Sequence, residues 1–223
     1  GAIIGAVDLT GGSQVASPQT LALVRAATVA VENHLALLRL TAPPRTASTG
    51  GAQLVALGAD RPSWQVTDQH GQPRSIPLTG RHADILVLLS RHPEGLSADH
   101  LAMLLDDNDL DTVTIRAEMS RLRRVVGADF IASRPYRLLK PVGSDVGDVF
   151  DALRAGDVSG ALSRYSGELL PQSVSPAIAR LRTELSTSLR GAVLAQASSG
   201  DLRSLRRWLD LPEARDDEHG RVR

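Results

Sequence analysis

Apolar residues cluster first at Ile3, Ile4, Val7 and Leu9, a run that predicts a strand over 3–10 ended by Gly11-Gly12. Ser17-Pro18 then opens a helix, with Ser17 as N-cap and Pro18 in the first turn. Along it Leu21, Val24, Thr28, Val31, Leu35 and Leu38 alternate spacings of three and four, a heptad-like seam. The seam packs either on its own sheet or on a second copy, because one strand and one helix cannot close a core. Residues 41–51 are rich in Thr, Ala, Pro, Ser and Gly and read as a linker. Three β-like runs follow, Gln53–Leu57, Trp64–Thr67 and Ser75–Leu78, which predict a small antiparallel sheet.

Helical spacing takes over at Thr79. The first helix carries Ile85, Leu86, Leu88 and Leu89 and stops at Pro93-Glu94-Gly95. Ser97 caps a second helix with Leu101, Leu104 and Leu105, and a third runs from about Thr112 to Val126, stopped by Gly127. Phe130–Ser133 and Tyr136–Leu139 form a hairpin around Arg134-Pro135. Beyond it Asp145 caps a helix with Val146, Val149, Phe150 and Leu153, and Asp157 caps one with Val158, Ala161, Leu162 and Tyr165. Ser175-Pro176 opens a long helix striped with Ile178, Leu181, Leu185, Leu189 and Ala192, and Leu202, Leu205 and Leu209 mark a short last one. The order predicts an α+β chain, mostly α: a small N-terminal β-sheet, a three-helix and hairpin unit, and a TPR-like helical domain.

The composition is globular, with 42% hydrophobic residues in 223, and two each of Trp, Tyr and Phe make the core aliphatic. So few aromatics argue against a reader of single-stranded nucleic acid, which stacks bases on such rings. There is no cysteine, which removes disulfides, thiolate metal sites and cysteine nucleophiles and fits a cytoplasmic location. The longest aliphatic run, Ile85 to Leu89, is far short of a membrane span, and no signal-peptide pattern opens the chain. An opening on Gly1 reads as a fragment or a processed product.

The net charge of zero conceals a segregation. Residues 94–111 hold Glu94, Asp99, Asp106, Asp107, Asp109 and Asp111 and no Lys or Arg, a block of −6. Residues 112–140 hold Arg116, Arg121, Arg123, Arg124, Arg134, Arg137 and Lys140 against Glu118 and Asp129, a block of +5. The third helix buries Ile115, Met119, Leu122 and Val126 and turns outward Thr114, Ala117, Glu118, Arg121 and Arg124, with Arg116, Ser120 and Arg123 on the flanks. Small residues at 114, 117 and 120 let a helix approach a groove, and arginines grip phosphates or fork onto guanine O6 and N7. Placed after two helices and before an Arg-tipped hairpin, this face points to double-stranded DNA.

These segments resemble the OmpR/PhoB-type winged-helix regulators over residues 52–142. The resemblance rests on Leu78-Thr79, Leu101, Thr112-Val113, the Ser120-Arg121-Leu122-Arg123-Arg124 run and the hairpin Phe130 to Leu138. It implies major-groove contact by Arg121, phosphate contacts by Ser120 and Arg123, and a wing that brings Arg134 and Arg137 to the adjacent groove or backbone. A usual Gly-Tyr step in the wing is replaced by Arg134-Pro135-Tyr136, and Glu118 places an acid on the reading face, able to accept from cytosine N4 or to repel other sequences. The resemblance also implies that the acidic loop before the third helix contacts RNA polymerase. Residues 143–212 are similar to a bacterial transcriptional activator domain, on Ala155-Gly156-Asp157 and Ser166 to Pro171, and 213–223 read as a disordered tail. Residues 1–41 resemble the closing strand and helix of a GAF sensor domain, joined by the linker 42–51, and their exposed seam predicts a homodimer.

Phosphate-binding glycine loops and nucleophile elbows are absent, and none of the six histidines forms a His-x-x-x-His pair. The 106–111 aspartates lack the glycine and terminal glutamate of a calcium loop. No cofactor, metal or catalytic residue is therefore expected. The sequence points to a DNA-binding transcriptional regulator; the alternative is a protein-interaction scaffold without specific DNA binding.

Overall fold

Buried and half-buried positions alternate along β1 (Ala52–Val55), which places Ala52 and Leu54 on the core face. β2 (Ser63–Thr67) lies antiparallel to it and sets the buried Trp64 opposite Leu54. β3 (Pro73–Pro77) pairs antiparallel with β2 at the sheet edge, where its two prolines remove ladder donors. β4 (Val142–Ser144) enters on the other side of β1, parallel to it, giving the order β3-β2-β1-β4. The sheet is therefore mixed, where the sequence predicts antiparallel strands alone. Val142-Gly143-Ser144 is too short to alternate, so nothing in the pattern announces it. This computed structural model describes residues 51–58, 61–67, 70–106, 110–200, 202–212 and 214. The expected strand over 3–10, the helix from Ser17, the linker and the GAF-like assignment lie outside the described residues.

Seven helices follow among the described residues. α1 (Gly80–Arg91) is closed at its start by Thr79, whose hydroxyl accepts from the His82 N–H. It buries Ile85, Leu86, Val87, Leu88 and Leu89 in succession, as a helix covered on all sides does. α2 (Ala98–Leu105) is capped by Ser97 and buries Leu101, Ala102 and Leu105. Its last carbonyls would be orphaned, but Arg81 donates to the Leu105 oxygen and Ser175 to that of Leu104. α3 (Thr112–Val126) is capped by Asp111 and buries Ile115, Met119, Leu122 and Val126.

The chain then returns through a hairpin to β4 and four more helices: α4 (Asp145–Arg154), α5 (Val158–Arg164), α6 (Pro176–Ser198) and α7 (Arg203–Leu209). α4 packs on α5, and α6 packs on α7. The helical segment is tied to the sheet by polar bonds. The Asp145 carboxylate accepts from the N–H groups of Ala56 and Leu57, each at 2.8 Å, and from Val146. The Leu170 N–H donates to the Ala56 oxygen, the Ser166 hydroxyl to the Leu57 oxygen, and the Gly58 N–H to the Glu168 oxygen. Gly58 sits at φ +59, and a Cβ there would stand 2.2 Å from the Ser166 oxygen, so only glycine admits this approach. Arg182 closes the joint from α6 by donating to the carbonyls of Leu169, Leu170 and Ser173.

Several side chains depart from the sequence reading. Ser144, not Asp145, is the N-cap of α4, which frees the Asp145 carboxylate for the end of β1. The α6 stripe ends on Val193 rather than Ala192, because the step from Leu189 is four. α7 buries Ser204 and Trp208, while Leu202 and Leu209 are about half exposed. Ala214 is buried, so packing continues past residue 212, where a disordered tail is expected. No described helix is long and apolar enough to cross a membrane.

Leu122→Ala is expected to cost about 2–5 kcal/mol in denaturant unfolding, the range for emptying a buried leucine site. Asp145→Ala strands the N–H groups of Ala56 and Leu57 and should cost at least about 2 kcal/mol. An Asp145→Ala chain that unfolds at the parental midpoint would show that the joint contributes nothing.

Candidate nucleic-acid interface

The buried stripe of α3 fixes which residues face outward. Thr114, Arg116, Ser120, Arg121 and Arg124 are exposed, and Ala117, Glu118 and Arg123 are half-buried at the edges of the stripe. Arg124 Nε donates to the Ser120 oxygen at 3.3 Å, which leans that side chain back along its own helix. Arg123 turns to the hairpin instead, donating to the Ser133 hydroxyl and to the Ala128 oxygen. It therefore joins α3 to the hairpin, whatever else it touches.

The hairpin is built by Ile131 opposite Leu138, by the Ala132 N–H on the Arg137 oxygen and by the Leu139 N–H on the Phe130 oxygen. Tyr136 exchanges both backbone bonds with Leu96, so the segment between α1 and α2 adds a third extended stretch. Gly95, at φ +95, lies beneath the turn, and a Cβ there would come within 2.7 Å of the Pro135 ring. Below, Phe130 meets Trp64 edge to face at 5.2 Å, and Lys140 stands over the Phe130 ring and pairs with Asp129. Arg134 and Arg137 are left exposed on the hairpin. The backbone thus sets two arginine-bearing elements, α3 and the hairpin, side by side.

Glu118 behaves differently from the other outward residues. Its side chain is 21% exposed, with Oε1 2.5 Å from Arg121 Nη1 and Oε2 3.3 Å from His82 Nε2. His82 is buried, and its backbone N–H rather than its ring serves the cap. The His82 Nε2 approach to Glu118 is a close contact without hydrogen-bond alignment, since that nitrogen has no aligned partner among the described residues. Burial holds the His82 pKa below its ordinary 6.5; Glu118 opposes this and Arg121 adds to it. The sequence reading missed this coupling because His82 and Glu118 lie on different helices.

The acidic segment before α3 does not gather as a site among the described residues. Asp111 is consumed as a cap, accepting from the Val113 N–H, and residues 107–109 lie outside the described residues. Among the described residues no three metal-ligating side chains converge. A cleft in the helical segment is lined by Tyr165, Arg182, Ser186, Arg190 and Trp208, away from α3.

No family model and no solved structure matches the chain. It is similar to a Rhodococcus erythropolis protein described as an uncharacterized 47.3 kDa protein in the thcA 5′ region, with 49% identity over 217 residues. The match takes in 97% of this chain and 48% of that protein, so the chain spans about half the length of this curated relative.

The lowered His82 pKa has a definite sign. Above 6.5 the ring is neutral folded or unfolded; below it the unfolded chain takes up the proton first, so stability falls as pH drops from 6.5 toward the folded pKa. Subtracting a His82→Gln titration from the parental one should isolate that slope. Parallel curves between pH 7 and about 5 would rule it out.

Proposed function

We propose that the chain is a sequence-specific regulator of transcription that binds double-stranded DNA, with a winged helix-turn-helix of OmpR/PhoB type reading the duplex. In this reading α3 enters the major groove and the hairpin, as the wing, reaches the adjacent groove or backbone. One observation carries it: α3 buries one stripe and turns Thr114, Arg116, Ser120, Arg121 and Arg124 outward beside a hairpin that exposes Arg134 and Arg137. Helix N-terminal residues facing base edges, with cations on both flanks, suit a groove between two phosphate rows. Arg121 is the base reader, and Arg116, Arg124 and the hairpin arginines grip phosphates. Arg123 acts by holding the hairpin to α3. The paired helices α4–α5 and α6–α7 serve as a TPR-like activator module, and the acidic sequence before α3, which lies between the exposed Met103 and Val113, is a contact for RNA polymerase. The reading assigns no reaction, cofactor or metal, and sets the protein in the cytoplasm, as a homodimer through the heptad-like sequence from Leu21 to Leu38.

A protein-interaction scaffold is the second reading. Apolar side chains left open on the helical segment favour it: Val174 is 90% exposed, and Leu194, Leu202 and Leu209 are about half exposed. Duplex binding whose log affinity falls linearly with log salt supports the first reading; no duplex binding at low salt supports the second.

Arg121→Ala is expected to lose about 1–3 kcal/mol of discrimination between a selected and a mutated duplex. Arg124→Ala should weaken all duplexes alike and flatten the salt slope by about one unit. Titrations by fluorescence anisotropy at several salt concentrations measure both. Arg134→Ala should lower affinity while unfolding stability stays within about 0.5 kcal/mol of the parent. Footprints that keep their full length in Arg134→Ala would remove the hairpin from the interface.

A further inference from the structure

An acid among residues that face phosphates costs affinity, so Glu118 calls for an account of what it supplies. Three side chains run from the core to the surface in contact: His82, buried; Glu118, 21% exposed; and Arg121, 59% exposed. His82 is immobilised by the packing of α1, and its Nε2 stands 3.3 Å from Glu118 Oε2. Burial keeps the imidazole neutral near pH 7, so the carboxylate charge is left for Arg121. The other oxygen, Oε1, takes Arg121 Nη1. An arginine free in solution must give up rotamer freedom to read a base, and a second bond that already fixes its plane removes part of that loss.

We propose that Glu118, seated against His82, is a positioning residue that holds Arg121 by Nη1 and leaves its Nε–Nη2 edge to fork onto a guanine. This rests on the DNA-binding reading above. It gives the acid a role other than a direct base contact: both carboxylate oxygens face protein groups, and the base is read one residue further out. Arg124 makes the contrast, since its Nε is spent on the Ser120 oxygen and no ion pair among the described residues sets its plane.

The consequence is a pair of opposite changes that loosened packing could not produce. Glu118→Gln keeps the shape and removes the charge. Affinity for mixed-sequence duplex should rise, because a negative charge leaves the phosphate-facing surface. Preference at one base pair should fall by at least about fivefold, the lower end of what a bidentate arginine–guanine pair supplies. That base pair should be the one whose preference Arg121→Ala abolishes. His82→Gln should lower the same preference by less, since it removes only the support behind the carboxylate.

The test uses the full chain. A duplex is selected by the parent from a random-sequence pool, each base pair is changed in turn, and the set is titrated against parent, Arg121→Ala, Glu118→Gln and His82→Gln. Thermal melts accompany every variant, and Glu118→Asp, which keeps the charge one methylene short, replaces the amide if the amide does not fold. Preference lost at the Arg121 base pair together with stronger mixed-sequence binding by Glu118→Gln supports the inference. A folded Glu118→Gln with parental preference overturns it, while leaving DNA reading intact if Arg121→Ala still loses its base. A parent with no preference among duplexes overturns both.

Discussion

One carboxylate sits at the centre of the joint between the sheet and the helical segment. Asp145 stands at the first turn of α4 and takes the N–H groups of Ala56 and Leu57, where β1 ends and its ladder donors would otherwise be orphaned. Burial pushes its pKa up, against the backbone N–H groups of Leu57, Ala56 and Val146, which favour the charged form. Around that bond the Gly58, Ser166 and Leu170 contacts close like a seam, and Arg182 fastens it from α6. Residues 142–146 thus supply both the fourth strand of the sheet and the bonds at the centre of this seam.

The presentation of α3 depends on this frame at one remove. Its stripe of Ile115, Met119, Leu122 and Val126 packs into the common core, and the end of α2, which precedes it, is held by Arg81 and Ser175. Arg123 then spans to the hairpin, which hangs from Leu96 and rests on Phe130 against Trp64. What faces outward is decided by what is held inward: Arg121 is free of the core because Leu122 is not.

Much of this was legible in the chain. The spacing four, three, four of the α3 stripe gave its ends and its buried face, and Thr79, Ser97 and Asp157 announced their helices through short side chains that bond the backbone. What escaped was long-range and polar. β4 is three residues with a central glycine, and its partner lies about ninety residues away. Asp145 resembled a cap until Ser144 was seen in that place. Buried His82 and Asp84 interrupt an otherwise apolar helix, and burial pushes the Asp84 carboxyl up against the pull of Ser173, Arg81 and Arg182. Periodicity registers apolar faces well and says little of which distant charge meets another across them.

The parallel pairing of β4 with β1 bears on how such a chain can be rearranged in evolution. A cut placed after the hairpin, at residue 141, would take away β4 and Asp145 together. It would open one edge of the sheet and uncover the backbone at Ala56 and Leu57. A cut after residue 146 would keep β4 and Asp145 with the sheet, but would still part Ala56, Leu57 and Gly58 from Leu170, Ser166 and Glu168. Exchange of the helices behind the sheet therefore has to preserve the 166–170 contacts as well as residues 142–146.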